Sequence, residues 1–134
     1  MKLETERLIL RMPRKNDWRI IYKIVDNEVI KNMFWPYPFK KKHIKEFISK
    51  WIKGWKKESL WCVIQLKKSK EIIGITGFRD INKDAKTGEL ILWCGKDYRG
   101  EGYLTEANIE IINYFFNKMN MRKINAYVGS FNEK

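Results

Sequence analysis

Thr87 to Met119 is the stretch that constrains the fold most. It opens on an apolar run, Glu89-Leu90-Ile91-Leu92-Trp93-Cys94, and passes through a polar turn at Gly95 to Arg99. Gly100-Glu101-Gly102 follows, and then Leu104, Ala107, Ile111, Ile112 and Phe115 recur at helical spacing. Strand, glycine turn and helix in that order predict a sheet crossed by a helix whose first turn is exposed. That first turn carries N–H groups with no internal acceptor and the positive end of the helix dipole, so anions bind there. Gly100 and Gly102 let the backbone close around a phosphate with no Cβ in the way, and Arg99 adds a charged donor. A pyrophosphate fits such a turn. A plain tight turn has the same spacing, and only the surrounding sequence separates the two.

Two familiar phosphate motifs are excluded. A dinucleotide fingerprint needs a third glycine where Thr105 stands, and a P-loop needs a Gly-Lys-Ser/Thr run that the chain lacks. Tyr98-Arg99-Gly100-Glu101-Gly102-Tyr103-Leu104-Thr105-Glu106-Ala107 does resemble the coenzyme A loop of the GNAT acetyltransferases, in the form used by the RimJ/RimL branch. The family pattern places Gln or Arg at the position of Asp97, whereas this branch often has its basic residue beside the first glycine, as Arg99 is here. Glu6-Arg7-Leu8-Ile9-Leu10-Arg11 resembles the opening strand of the same branch, and Ile73-Gly74-Ile75-Thr76-Gly77 is similar to a third of its patterns.

The rest of the chain supports one α/β domain over residues 1–134. Met1 to Met12, which contains Thr5 to Arg11, reads as a first strand ended by Pro13, and Asn16 or Asp17 can cap a helix with Ile20, Ile21, Ile24 and Val25 on one face. Asn27 to Phe39 is expected to be an irregular aromatic loop, because Pro36 and Pro38 forbid a helix through it. Lys40 to Lys57 has Ile44, Phe47, Ile48, Trp51, Ile52 and Trp55 at the spacing of one helical face. Leu60–Leu66 and Glu71–Phe78 read as a hairpin turned by residues 67–70, with Gly74 and Gly77 marking a bulge or a close approach. Asn82 to Gly88 turns the chain into the central strand and completes an antiparallel meander. Ile124, Ala126 and Val128 alternate with polar residues as a last strand, parallel to the central one across the helix.

Composition narrows the function classes. Two cysteines and one histidine, His43, make no disulfide framework and no metal set, so no metal is expected and a reducing, cytoplasmic setting is. No apolar run reaches the roughly 18 residues of a spanning helix. The net charge of +12 suits phosphate ligands, while the lysine runs at 40–42, 56–57 and 67–68 read as solvated surface rather than a nucleic-acid face. Cys94 has no histidine near it in sequence and reads as a small core residue, not a nucleophile.

The resemblance implies a GNAT acyl-CoA N-acyltransferase fold: a mixed sheet with antiparallel N-terminal strands and a parallel β-α-β unit. In that fold the fourth and fifth strands splay and acetyl-CoA lies between them. It implies pyrophosphate contacts from Arg99, Gly100, Glu101, Gly102, Tyr103, Leu104 and Thr105, pantetheine contacts from the backbone of Leu92, Trp93 and Cys94, and a further contact from Asn132. Acetyl transfer to a primary amine, at a protein N-terminus or on a small molecule, is the implied reaction. Glu89 matches a glutamate of the branch and is the candidate base, and Phe34, Trp35 and Tyr37 lie where the family places its acceptor. The family's last helix, two strands and usual serine or tyrosine are expected to be absent, leaving an open strand edge that a second copy would cover. A catalytically impaired coenzyme A binder or remnant is the first alternative, and a basic RNA-binding module the second.

Overall fold

The computed structural model describes residues 2–125, so Asn132, Tyr127 and the second half of the last expected strand lie outside the described residues. Six strands form one sheet in chain order, β1 (Lys2–Glu4), β2 (Leu8–Arg11), β3 (Leu60–Leu66), β4 (Ile72–Asn82), β5 (Thr87–Cys94) and β6 (Lys123–Asn125). All neighbours pair antiparallel except β5 and β6, which run parallel from Thr87↔Lys123 to Glu89↔Asn125. The helices are α1 (Trp18–Ile24), α2 (Asn27–Met33), α3 (Lys41–Lys53) and α4 (Tyr103–Asn117).

The single opening strand is in fact two. Thr5 turns the chain, its N–H donating to the Leu8 carbonyl (2.9 Å) and its hydroxyl accepting from the Leu8 N–H (3.0 Å). After β2, Asp17 fixes the entry to α1 by accepting the Arg14 N–H (2.7 Å) and both arms of the buried Arg11 guanidinium (3.0 and 3.1 Å). Of the expected face of α1, Ile21 is fully buried and Ile20 is exposed.

The expected loop from Asn27 begins as a helix, α2. Asp26 caps it by accepting the Val29 N–H (2.9 Å), and Val29, Ile30 and Met33 face the core. The prolines act only after Phe34, which ends the helix at φ +57°. Helix α3 stops at Gly54, short of the expected Lys57, and Trp55 leaves it to bridge Ser59. The polar turn before β5 shrinks to residues 83–86, because β4 continues past Phe78 through an irregular step between Arg79 and Asn82. Gly74 and Gly77 mark close approaches: a Cβ at Gly74 would stand 2.2 Å from the Trp93 carbonyl oxygen, and one at Gly77 1.8 Å from that of Leu60.

Each face of the sheet has its own core. Helix α4 covers one, setting Leu104, Ala107, Ile111 and Phe115 on Leu8, Leu10, Leu60, Ile64, Ile73 and Phe78. Helices α1, α2 and α3 cover the other, where Ile21, Val29, Met33, Ile44, Ile48 and Trp51 meet Trp61, Val63, Ile75, Ile91 and Trp93. The junction of β5, the following turn and α4 lies between the two layers.

Candidate active site

The chain leaves β5 at Cys94 and reaches α4 through Gly100 and Gly102, which sit at φ +84° and +80°. This left-handed backbone is natural to glycine and strained for other residues. A Cβ at Gly100 would meet nothing within 4 Å, so the turn is open on its outer side. Gly102 is the N-cap of α4 and offers no side-chain acceptor; the first backbone bond of the helix runs from the Glu106 N–H to the Gly102 carbonyl (3.1 Å). The N–H groups of Tyr103, Leu104 and Thr105 therefore precede any intrahelical acceptor, which is the arrangement that receives an oxyanion.

The charge beside this turn comes from Arg7. Its guanidinium donates through Nε to Glu106 Oε1 (2.7 Å) and through Nη1 to the Glu101 carbonyl (2.9 Å), and it lies 4.5 Å from the Tyr103 ring centroid. The other oxygen of Glu106 accepts the Arg7 N–H (2.8 Å) and the Thr5 hydroxyl (2.5 Å). Burial opposes ionisation of Glu106, but the bonds from Thr5 and Arg7 together outweigh it and hold the carboxyl below its ordinary value. The same contact with Glu106 raises the Arg7 guanidinium. A glutamate in the first turn of an anion-binding helix would repel a phosphate, and Arg7 neutralises it.

Arg99, the expected phosphate donor, flanks the turn on its β5 side. It donates to the Cys94 carbonyl (3.0 Å) and pairs with Asp26 (3.3 Å) and Glu28 (3.8 Å) at the start of α2. Through these pairs Arg99 ties the turn to the opposite helical layer.

Along β5 the peptide groups alternate between the two edges. Gly95 donates to the Ile73 carbonyl (2.8 Å), and Trp93 sits opposite Ile75. Trp93 thus directs its own peptide groups at β4, while Leu92 and Cys94 turn theirs toward the side on which β6 lies. Of the three expected backbone contacts, this geometry favours Leu92 and Cys94 over Trp93. The Trp93 side chain is fully buried, and its indole N–H has no hydrogen-bond partner among the described residues.

Glu89 lies at the other end of β5, where the described pairing with β6 stops. Its carboxylate pairs with Arg79 across the strands at 3.2 Å and is about one-fifth exposed. Alternation puts Glu89 on the face that carries Ile91 and Trp93. Phe34, Trp35 and Tyr37 reach that same face. With Ile30 and Lys31 they line an open cleft of about 620 Å³, from which Trp35 extends inward to meet Trp93 edge-on at 6.1 Å. Phe34 and Tyr37 are 78% and 77% exposed. Glu89 and Trp35 thus lie on one face of the sheet, and the Gly100–Gly102 turn follows the opposite end of β5 from Glu89.

The remaining polar groups are structural. Burial pushes the Cys62 thiol up to about 12, so it stays protonated, and Cys94 is equally buried in the core. His43 Nδ1 accepts the Lys40 N–H (2.9 Å) at the start of α3, and no group of metal-binding side chains occurs among the described residues. Thr5, Arg7 and Glu106 escape sequence reasoning because 99 residues separate the main partners, so no local pattern links them.

A strand edge, a left-handed glycine turn and an uncapped helix start together make an arrangement of backbone N–H groups suited to a phosphate at the end of the central strand. Residues 7–134 match the family model described as the acetyltransferase (GNAT) domain, and the chain belongs to that family. It is 25% identical over 128 residues to an uncharacterized N-acetyltransferase, YokL, derived from the SPbeta prophage of Bacillus subtilis, covering 95% of this chain and 70% of that protein. The fold is similar to that of RimL, a ribosomal L7/L12 alpha-N-protein acetyltransferase, with TM-score 0.81, 14% identity, and coverage of 94% of this chain and 70% of that one. It is also similar to spermidine N-acetyltransferase from Vibrio cholerae, solved with CoA and spermine, with TM-score 0.76, 21% identity, and coverage of 91% and 71%. No described helix is long and apolar enough to cross a membrane.

Proposed function

We propose that the protein transfers the acetyl group of acetyl-CoA to a primary amine, on a protein N-terminus or a small molecule, by direct attack of the amine on the thioester. The observation that carries this reading is the left-handed Gly100–Gly102 turn at the uncapped start of α4, in a chain of the GNAT family. The residues fit the ligand: the turn is open where phosphates must enter, and Arg7 offsets the Glu106 carboxylate beside it. Gly100 to Thr105 hold the diphosphate through backbone N–H groups, with Tyr103 and Leu104 anchoring the helix start by their side chains. Leu92 presents peptide groups to the amides of the arm, beside the Cys94 carbonyl that accepts from Arg99, and a backbone N–H at this end of β5 faces the charge that develops on the acyl oxygen. Acetyl-CoA itself supplies an activated acyl group. Glu89 accepts the proton that the attacking amine releases, directly or through water, while Arg79 fixes its carboxylate in place. Phe34, Trp35 and Tyr37 wall the acceptor.

The test begins with the thermal midpoint of the protein with and without acetyl-CoA. At about a hundred times its dissociation constant a ligand stabilises by roughly 2.7 kcal/mol, a rise of several degrees for a domain of this size. Gly102→Glu, which puts a strained and negatively charged residue in the turn, is expected to abolish the rise. An amine panel scored by release of free thiol then separates a transferase from an impaired binder. Glu89→Gln is expected to cut turnover about 10²–10⁴-fold while keeping the acetyl-CoA shift. A folded protein with no shift at saturating acetyl-CoA overturns the reading.

A further inference from the structure

The far end of α4 carries a feature unrelated to acetyl transfer. Lys56, Lys83, Lys86 and Lys118 surround a cleft of about 300 Å³ also lined by Tyr114 and Met121, and among the described residues no carboxylate lines it. The four lysines come from the turn after α3, the β4–β5 turn and the end of α4, so no run in the sequence announces them. None has an ion-pair partner among the described residues, whereas Lys2 and Lys67 both pair with Glu4. The only described contact of their charges is that of Lys56 with the Tyr114 ring, at 5.8 Å.

Backbone bonds hold these segments together. The Lys86 carbonyl accepts the N–H groups of both Arg122 (2.8 Å) and Lys123 (3.1 Å), and the Glu58 carbonyl accepts that of Ile81 (2.9 Å). Lys56, Lys86 and Asn120 all adopt left-handed backbone, at φ +62°, +60° and +56°. Three of the lining residues therefore occupy a conformation that side chains disfavour, and strain of this kind collects at ligand sites. The C-terminal end of α4 contributes roughly half a negative charge, which offsets only a small part of four ammonium groups. The cleft calls for an anion.

We infer that this cleft binds single-stranded nucleic acid through its phosphates, independently of acetyl transfer. Carboxylates are matched by the planar fork of arginine, and no arginine lines the cleft; lysines act as point charges that suit phosphate oxygens approached from several sides. The half-buried Tyr114 ring adds a flat surface on which a base can rest. A flexible strand enters a concavity of this size, and a rigid duplex does not.

The test is fluorescence anisotropy with a ten-nucleotide oligouridine and its deoxythymidine counterpart, over a salt series. Four single-strand phosphate contacts give a log–log salt slope of about −2.8, or roughly a fiftyfold loss between 50 and 200 mM salt. Replacing all four lysines (K56Q/K83Q/K86Q/K118Q) is expected to remove most of that slope. Removing the same charge elsewhere (K15Q/K40Q/K41Q/K42Q) is expected to leave affinity within threefold, and Gly102→Glu to leave it unchanged. If the quadruple variant does not fold by circular dichroism, K86Q and K118Q alone should each lower the slope by about 0.7. Three results overturn the inference: no binding at 50 mM salt, equal losses in the two quadruple variants, or an oligoglutamate of equal length competing as well as the strand.

Discussion

The two faces of the sheet hold their ligand regions in opposite ways. On the α4 face the packing is largely aliphatic, with Phe115 stacked on Phe78 at 3.9 Å and edge-on to Phe116 at 5.6 Å, and the candidate ligand atoms are backbone N–H groups at the helix start. The side chains there only hold that backbone in place, through Arg7 and Glu106. On the α1–α3 face the side chains are themselves the wall. Trp51 stacks on Trp61 at 4.2 Å, and Trp35 touches Phe39, Phe47, Trp51 and Trp93 with ring centroids 5.2 to 6.4 Å apart. One face depends on a few directed bonds, so it fails when a single glycine or charge is lost. The other depends on contact area and can be reshaped by substitution, which suits a half of the site that has to match a particular acceptor.

The contrast is open to direct tests. Trp61→Ala removes a buried ring from the aromatic face and should cost about 3–5 kcal/mol, seen as a fall of roughly 10 °C or more in the thermal midpoint. Acetyl-CoA should still raise the midpoint of this variant, because the phosphate turn is untouched; loss of the shift would show that the two faces are not separable. Arg7→Gln should cost only about 1 kcal/mol, since the pair is partly exposed and Glu106 keeps its bonds from Thr5 and the backbone. Yet it should weaken the acetyl-CoA shift more than Trp61→Ala does, a reversal of rank measurable in the same melts.

The smallest effect concerns acid. Glu106 titrates below its ordinary value in the folded protein, so its contribution is fully present above the unfolded value near 4.5 and is lost as pH falls through the lower folded value. The stability gap between the protein and Glu106→Gln, at most about 1 kcal/mol by urea titration, should therefore close as pH drops below about 4.5. A gap that widens in acid would reverse the sign assigned to this carboxyl.

How much of this was readable from sequence follows the range of the interactions. The strand, glycine turn and helix around Gly102, the meander, and the face of α3 all rest on local periodicity, and the structure has them. Helix α2 was hidden because Pro36 and Pro38 dominate their neighbourhood, although Asp26 before Val29 and Ile30 is a legible cap. The split of the first strand turns on one hydroxyl, that of Thr5. Arg99 beside the first glycine suggests a phosphate donor, but its carboxylate partners lie some seventy residues earlier, beyond any local pattern. The same distance effect hid Arg7 and dispersed the four lysines of the second cleft, while Asn132 lies outside the described residues.

The bond between Arg7 and Glu106 also has a consequence in time. Every strand pairs with its neighbour in sequence, and β3, β4 and β5 form a meander joined by short turns, while helices α1 to α3 separate β2 from β3 and α4 separates β5 from β6. The contact that steadies the phosphate turn instead spans 99 residues and joins the beginning of the chain to its last described helix. During synthesis the opening strand must wait for α4 before that turn can be held. The turn should therefore set late, and pulse-labelled hydrogen exchange would register it as late protection of the Arg7 amide, which donates to Glu106, and of the Glu106 amide, which donates to Gly102.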